Sequence, residues 1–288
     1  MDPGPSLLTS WTLDPAALVL IAVAAVLYAR RVRTLGRRGT PVERWRPWSF
    51  GTGLGLLFFA LVSPVGSFGE EEFFWAHMVQ HVIVGDLAPL AIVAGLTGPI
   101  LRPLLSFRLA TRLRVLTHPL VALPLWALNL GLWHLPVLYE AAVRHDAVHA
   151  LEHVSFFTAG ALMWAPVLEV LPGPAWFGTG AKAAYIVVVR VLETIIGNVF
   201  LWSGGAFYSV YEHPVPRWGL SAEADQGIAG AIMMIEGSIV TLCALAWLVL
   251  RWASESELRQ QLIEGGVDPK TAGRAVRYGR GEEFAGPR

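Results

Sequence analysis

Six histidines of this chain sit at spacings that stack side chains on one helix face. His77 and His81 are four apart, and so are His145, His149 and His153, with His134 shortly before them. Residues four apart on an α-helix lie about 6 Å apart along the axis, and the longer series drifts by about 80° over two turns. Imidazole is a ligand for Cu, Zn, Fe and Ni, so stripes from separate helices can converge on one ion. The remaining two, His118 and His213, stand alone, and a single histidine near a helix end ordinarily makes a hydrogen bond at an interface. The one cysteine, Cys243, excludes disulfides, CxxC thiol centres and cysteine-rich metal sites.

The elements that must position these residues follow from composition. Of 288 residues, 54% are hydrophobic and only 15% charged, against about 25% charged in soluble domains. Lipid is therefore the expected main solvent. A crossing helix needs about 20 mostly apolar residues, and seven segments come close: 13–30, 48–66, 73–97, 118–135, 147–171, 183–203 and 226–251. Gly39-Thr40-Pro41, Gly98-Pro99, Pro172-Gly173-Pro174 and His213-Pro214 with Pro216 separate most of them. The expectation is an all-α integral membrane protein, a seven-transmembrane-helix bundle spanning 1–251, followed by a short polar tail, 252–288. In that tail Gly265-Gly266 and Pro269 interrupt weak helical patterns. The start, MDPGPSLLTSW, has no basic region before the first apolar run, so that run reads as an anchor rather than a removable signal peptide.

Basic residues set the orientation, because short loops rich in Arg and Lys stay in the cytoplasm. Arg30, Arg31, Arg33, Arg37, Arg38, Arg44 and Arg46 follow the first segment, Arg102, Arg108, Arg112 and Arg114 the third, and Lys182 the fifth. With the end of the chain these make nineteen of 22 basic residues on one side. The opposite loops carry Arg144 and Arg217 beside Glu70, Glu71, Glu72, Glu140, Glu212 and Glu223. The N-terminus is therefore expected outside and the C-terminus in the cytoplasm. That topology brings His77, His81, His134, His145, His149 and His153 to the outer ends of three helices.

Glu152, three residues after His149, is the foremost candidate to orient a ligand, with Asp146, Glu140 and Gln80 near in sequence. Met78 follows His77 and so points about 100° away; Met233 is a candidate thioether. Deeper in the membrane lie Asp86, Arg190, Glu193 and Glu236. Two readings stay open for this polar layer: a network that pins the third, sixth and seventh helices together, or a path for protons or ions.

Three stretches carry a resemblance: HMVQHVIVGDLAPLAIVAGL (77–96), LWHLPVLYEAAVRHDAVHALEHVSFFTAGALMWAPVL (132–168) and GLSAEADQGIAGAIMM (219–234). In these the chain resembles the multi-pass CtaG-type cytochrome c oxidase assembly factors, and similarity in hydropathy extends over about 15–250. The resemblance implies copper insertion into haem-copper oxidases, with His77, His81, His134, His145, His149 and His153 as metal ligands. It further implies a bacterial plasma-membrane location, the oxidase catalytic subunit as client, and a periplasmic or extracellular copper donor, with no role for nucleic acid. After GAIMM this chain has Ile235-Glu236-Gly237 where the family pattern has an aromatic residue and Pro-Gly, so an ionisable group enters the last span. Zn or Fe would also suit imidazole. Two rival readings use the same histidines: a membrane di-metal, non-haem iron enzyme, and a bis-histidine haem electron-transfer protein. An assembly factor rather than an enzyme is the expectation.

Overall fold

The computed structural model describes residues 10–107, 112, 114–212 and 219–277. His213, Arg108, Arg217 and the start of the chain up to residue 9 lie outside the described residues, as does the stretch from 278 on.

Helix α1 (Pro15–Arg37) starts at Asp14, whose side chain accepts from the Ala16 N–H, with Pro15 in the first turn. It is peripheral. Val19, Leu20, Val23, Val26 and Leu27 are exposed, and inward-facing Tyr28 stacks on Phe50 and donates to the Gly95 carbonyl at 2.9 Å. Helix α2 (Trp45–Val62) ends at Ser63, which caps α3 (Pro64–Glu71), and the two are bent by 46°. Helix α4 (Phe74–Val82) continues through a π-helical turn, Ile83–Leu87, into α5 (Ala88–Gly95). Pro89 supplies a local cause for the wide turn, having no N–H to return to the chain before it. After α6 (Gly98–Leu105), α7 (Pro119–Trp133) and α8 (Pro136–Arg144) form a second broken pair, bent by 72° at His134 and Leu135. Helices α9 (Asp146–Val167), α10 (Thr179–Trp202), α11 (Ala222–Glu264) and α12 (Pro269–Arg277) complete the described chain.

Among the described residues, four helical stretches are long and apolar enough to cross a membrane: Pro15–Arg37, Phe74–Gly95, Thr179–Trp202 and Ala222–Glu264; the number rises to six if each bent pair crosses as one. Helix α9 occupies the fifth expected segment but falls short in apolarity, because Asp146, His149, Glu152 and His153 fill its first two turns. The outer faces of α10 and α11 expose Val191, Ile195, Val199, Ile235, Ile239, Leu242 and Leu250. So continuous an apolar surface suits lipid rather than water. Helix α11 does not stop at 251. It runs for 43 residues to Glu264 and ends at the Gly265-Gly266 pair, Gly266 taking a positive φ of 88° that favours glycine.

Small residues bring the central helices together, as expected where lipid supplies no hydrophobic drive. A Cβ on Gly160 of α9 would lie 1.9 Å from the Gly85 carbonyl oxygen in the π turn, so the two backbones touch. Gly230 of α11 meets Gly197 of α10 in the same way, at 2.6 Å from its carbonyl oxygen. At the end remote from the histidines, Glu169 accepts from Lys182 Nζ at 2.6 Å and from Arg251, tying α9, α10 and α11. At the histidine end, Asp225 of α11 reaches across to cap α4, accepting from the Phe74 and Trp75 N–H groups at 2.8 and 2.9 Å. Its charge also suits the positive end of the α4 dipole. Asp225→Ala should leave both N–H groups bare and lower stability by about 1–2 kcal/mol, read as the thermal midpoint of the detergent-solubilised protein.

Candidate metal centre

Helix α4 carries His77 and His81, the first two turns of α9 carry His149, Glu152 and His153, and the rings of the two helices face each other. His77 and Glu152 are fully buried and His81 is 5% exposed. His77 Nε2 lies 2.7 Å from His81 Nε2, and Glu152 Oε2 lies 3.8 Å from the first and 3.5 Å from the second. With His149 these residues offer four ligand atoms all within 4.8 Å of one another. A tetrahedral ion with bonds of about 2.0–2.1 Å sets its ligand atoms about 3.3 Å apart. The observed separations bracket that value.

The outward contacts fix which nitrogen each ring turns inward. His149 Nδ1 donates to Glu70 Oε1 at 3.2 Å, leaving its buried Nε2 without a partner. His77 Nδ1 lies 3.4 Å from Tyr211 Oη, which itself donates to the Gly69 carbonyl at 2.6 Å and so has a lone pair to receive the imidazole N–H. Held by an outer acceptor, each ring presents Nε2 to the cluster, the arrangement that orients metal-bound histidines. Both Glu152 oxygens and His153 Nε2 are likewise buried without hydrogen-bond partners. A buried carboxylate with no donor is costly unless a cation compensates it.

Tyr139 roofs the site, its ring 5.0 Å from that of His77 and 3.1 Å, oxygen to oxygen, from Tyr211. Phe74 packs edge-on against Tyr139, Phe200 and Tyr208 beside it. Gly69 allows α3 to close on α4, since a Cβ there would come within 2.7 Å of the His77 nitrogen.

Of the six candidate ligands, His77, His81 and His149 converge, and Glu152 joins them in the cluster rather than behind it. His153 stands next to them, 4.1 Å ring to ring from His149 and 5.8 Å from His81. His134, at the end of α7, gives its Nδ1–H to the Leu130 carbonyl at 2.7 Å and lies against Phe156 and Phe200, with Nε2 buried and unpartnered. His145 is the exposed residue preceding α9, outside the cluster. His118 plays the plain part expected of it, accepting from the Leu120 N–H at the start of α7.

The deeper polar layer divides in two. Arg190 donates to the Met234 carbonyl and to Ser238 Oγ at 2.8 and 2.9 Å, with Glu193 at 4.0 Å, and so joins α10 to α11. Gly237 makes room for this pair, since a Cβ there would lie 2.5 Å from Arg190 and 2.6 Å from Glu193. Asp86 accepts from the Trp164 indole N–H. Asp86, Glu193 and Glu236 also line a cavity of about 50 Å³ that extends up to His81 and His134.

Glu70, Tyr139, Tyr211 and Asp225 support the site, yet no spacing in the chain marks them as its residues. Glu70 reads as one of three outer-loop acids, and Tyr211 lies 134 residues from the histidine it orients. Glu70→Gln should weaken metal binding about 10–100-fold, the cost typical of losing a ligand's outer partner, as measured by competition with a chromophoric chelator.

The family model described as cytochrome c oxidase caa3 assembly factor matches residues 26–255. The chain belongs to that family. The matched region holds all six candidate histidines, Glu152 and the whole deeper layer. The chain is 26% identical over 270 residues to uncharacterised proteins of Mycobacterium bovis and Mycobacterium tuberculosis, and 23% identical over 269 residues to one of Mycobacterium leprae. These alignments cover 86% of the chain but only 40% of each relative, so the chain spans well under half the length of the curated proteins it matches. No solved structure matches it.

Proposed function

We propose that this chain is a copper carrier of the bacterial plasma membrane that helps metallate the catalytic subunit of cytochrome c oxidase. The bundle crosses seven times, with α9 as the polar fifth span, the N-terminus outside and the C-terminus in the cytoplasm. Copper from a periplasmic or extracellular donor enters at the outer ends of α4 and α9, is held there, and passes to the oxidase subunit assembling in the same bilayer. The carrying observation is the buried convergence of His77, His81, His149 and Glu152 in a chain of an oxidase assembly family. His153 and His134 flank that set, and His145 sits at the rim as an entry ligand.

The donor set suits a carrier. Imidazole and carboxylate without thiolate hold copper with moderate affinity, as a protein must that gives its cargo away. Cys243 is far from the site, lining a groove near Arg251. No chemical step is required of the protein, only ligand exchange. The histidine rings pack at centroid separations of 4.1 to 5.8 Å, which disfavours a porphyrin between them. The carboxylate in the set leaves non-haem iron as the rival cargo or cofactor.

Elemental analysis and an absorption spectrum of the purified protein decide among these. Copper near one per chain supports the proposal, whereas iron in its place, or a Soret band, overturns it. In cells, a His149→Ala/His153→Ala strain should assemble oxidase depleted in copper. Unaltered copper in the oxidase of that strain would sink the role.

A further inference from the structure

The cavity below the histidine cluster has the donors of a second metal position. It is lined by His81, His134, Met78 and Met233 above and by Asp86, Glu193 and Glu236 below, and its volume is about 50 Å³. A single water needs about 10–15 Å³, so an ion with two or three companions fits. Three atoms of the lining residues are buried without a hydrogen-bond partner: His81 Nδ1, His134 Nε2 and Glu236 Oε1. His134 Nδ1 is already committed to the Leu130 carbonyl. Its remaining nitrogen is thus a lone-pair donor, and His134 lines the same cavity as His81. Met78 is 1% and Met233 7% exposed, and both line this cavity.

We infer that copper occupies two successive positions in this protein, and that His81 serves both. The inference rests on the carrier reading above. In the upper position His81 Nε2 joins His77, His149 and Glu152. In the lower one His81 Nδ1 joins His134 Nε2 and the sulfur of Met78 or Met233. Imidazole with thioether selects Cu(I), the soft state, over harder ions.

The step between the two is ligand exchange, with no change of oxidation state. Bonds from Cu(I) to His77, His149, Glu152 and His81 Nε2 break as bonds to His81 Nδ1, His134 Nε2 and a thioether form. Neutral imidazole offers one lone pair at a time. The His81 proton therefore moves from Nδ1 to Nε2 as the ion descends, and the ring's charge is unchanged. The lower position faces the middle of α7, α10 and α11, and so gives the ion a route sideways within the bilayer rather than back to the outer compartment.

X-ray absorption on the anaerobic, Cu(I)-loaded protein in detergent tests this. The wild type should show sulfur beside nitrogen and oxygen scatterers. His149→Ala/Glu152→Ala should keep copper and shift it toward sulfur. Met78→Leu/Met233→Leu, which conserves volume, should keep copper and lose the sulfur signal. In cells the methionine variant should still load itself yet leave the oxidase short of copper. Copper bound with no sulfur in the wild type, or lost entirely from His149→Ala/Glu152→Ala, overturns the second position and leaves the carrier reading standing. A wild type that binds no copper overturns both.

Discussion

If the chain carries copper as proposed, a Glu152→Gln protein is expected to bind it at the His77, His81 and His149 position at least about 100-fold more weakly than the wild type, a larger loss than removing a ligand's outer partner brings. Glu152 is the one anion among the four converging groups, it is fully buried, and neither of its oxygens has a hydrogen-bond partner. That combination makes the effect on stability opposite in the two states. Without metal, the substitution removes an uncompensated buried charge, so the apo variant should melt higher than the apo wild type. With metal, the wild type gains about 2.7 kcal/mol at a free copper level one hundred times its Kd, and the variant should gain almost none. The two melting curves should therefore cross as copper is added. A copper Kd within threefold of wild type would show that Glu152 is not a ligand.

Gly160→Val should lose the fold locally and the site with it. A Cβ at Gly160 lies 1.9 Å from the Gly85 oxygen in the π turn and 3.2 Å from Pro89 Cγ in the first turn of α5. Backbone cannot step aside as a flexible side chain can, so α9 must move outward. Overpacking of a tight interface costs about 1–3 kcal/mol or more, which lowers the thermal midpoint by several degrees for a chain of this size. Because α9 carries His149 and Glu152 while α4 carries His77 and His81, the same displacement separates the two halves of the candidate metal centre. Copper binding should fall together with stability. At Gly131, where a Cβ would meet nothing within 4 Å, alanine should change neither quantity, and that pair of results separates packing from a general intolerance of side chains in these helices.

How much of this was legible in the chain depends on the range of the interaction. Composition, hydropathy and breakers were enough for an all-helical chain with apolar helices, and helical spacing was enough to put His77 with His81 and His149 with His153 on common faces. The long middle motif carried the family. These are local properties, set by 3.6 residues per turn and by where Pro and Gly fall. The bends at Ser63-Pro64 and at His134 to Pro136 follow from the same local rules, yet the second and fourth apolar segments read as continuous because hydropathy averages over a break.

What only the tertiary structure decided is how each helix is rotated about its axis and which helix stands opposite. Glu152 reads from the chain as a residue behind His149, and the close contact of Gly160 with Gly85 turns it into the cluster. The π turn at Ile83–Leu87 changes the face that follows His81, so that Asp86 shares a cavity with His134, Glu193 and Glu236. Glu70, Tyr211 and Asp225 come from other helices and loops, the last across 151 residues to the α4 N-terminus. The type and spacing of residues determine which side chains can bind a metal. The packing of backbones on glycine determines which of them meet, and that depends on contacts between segments far apart in the chain.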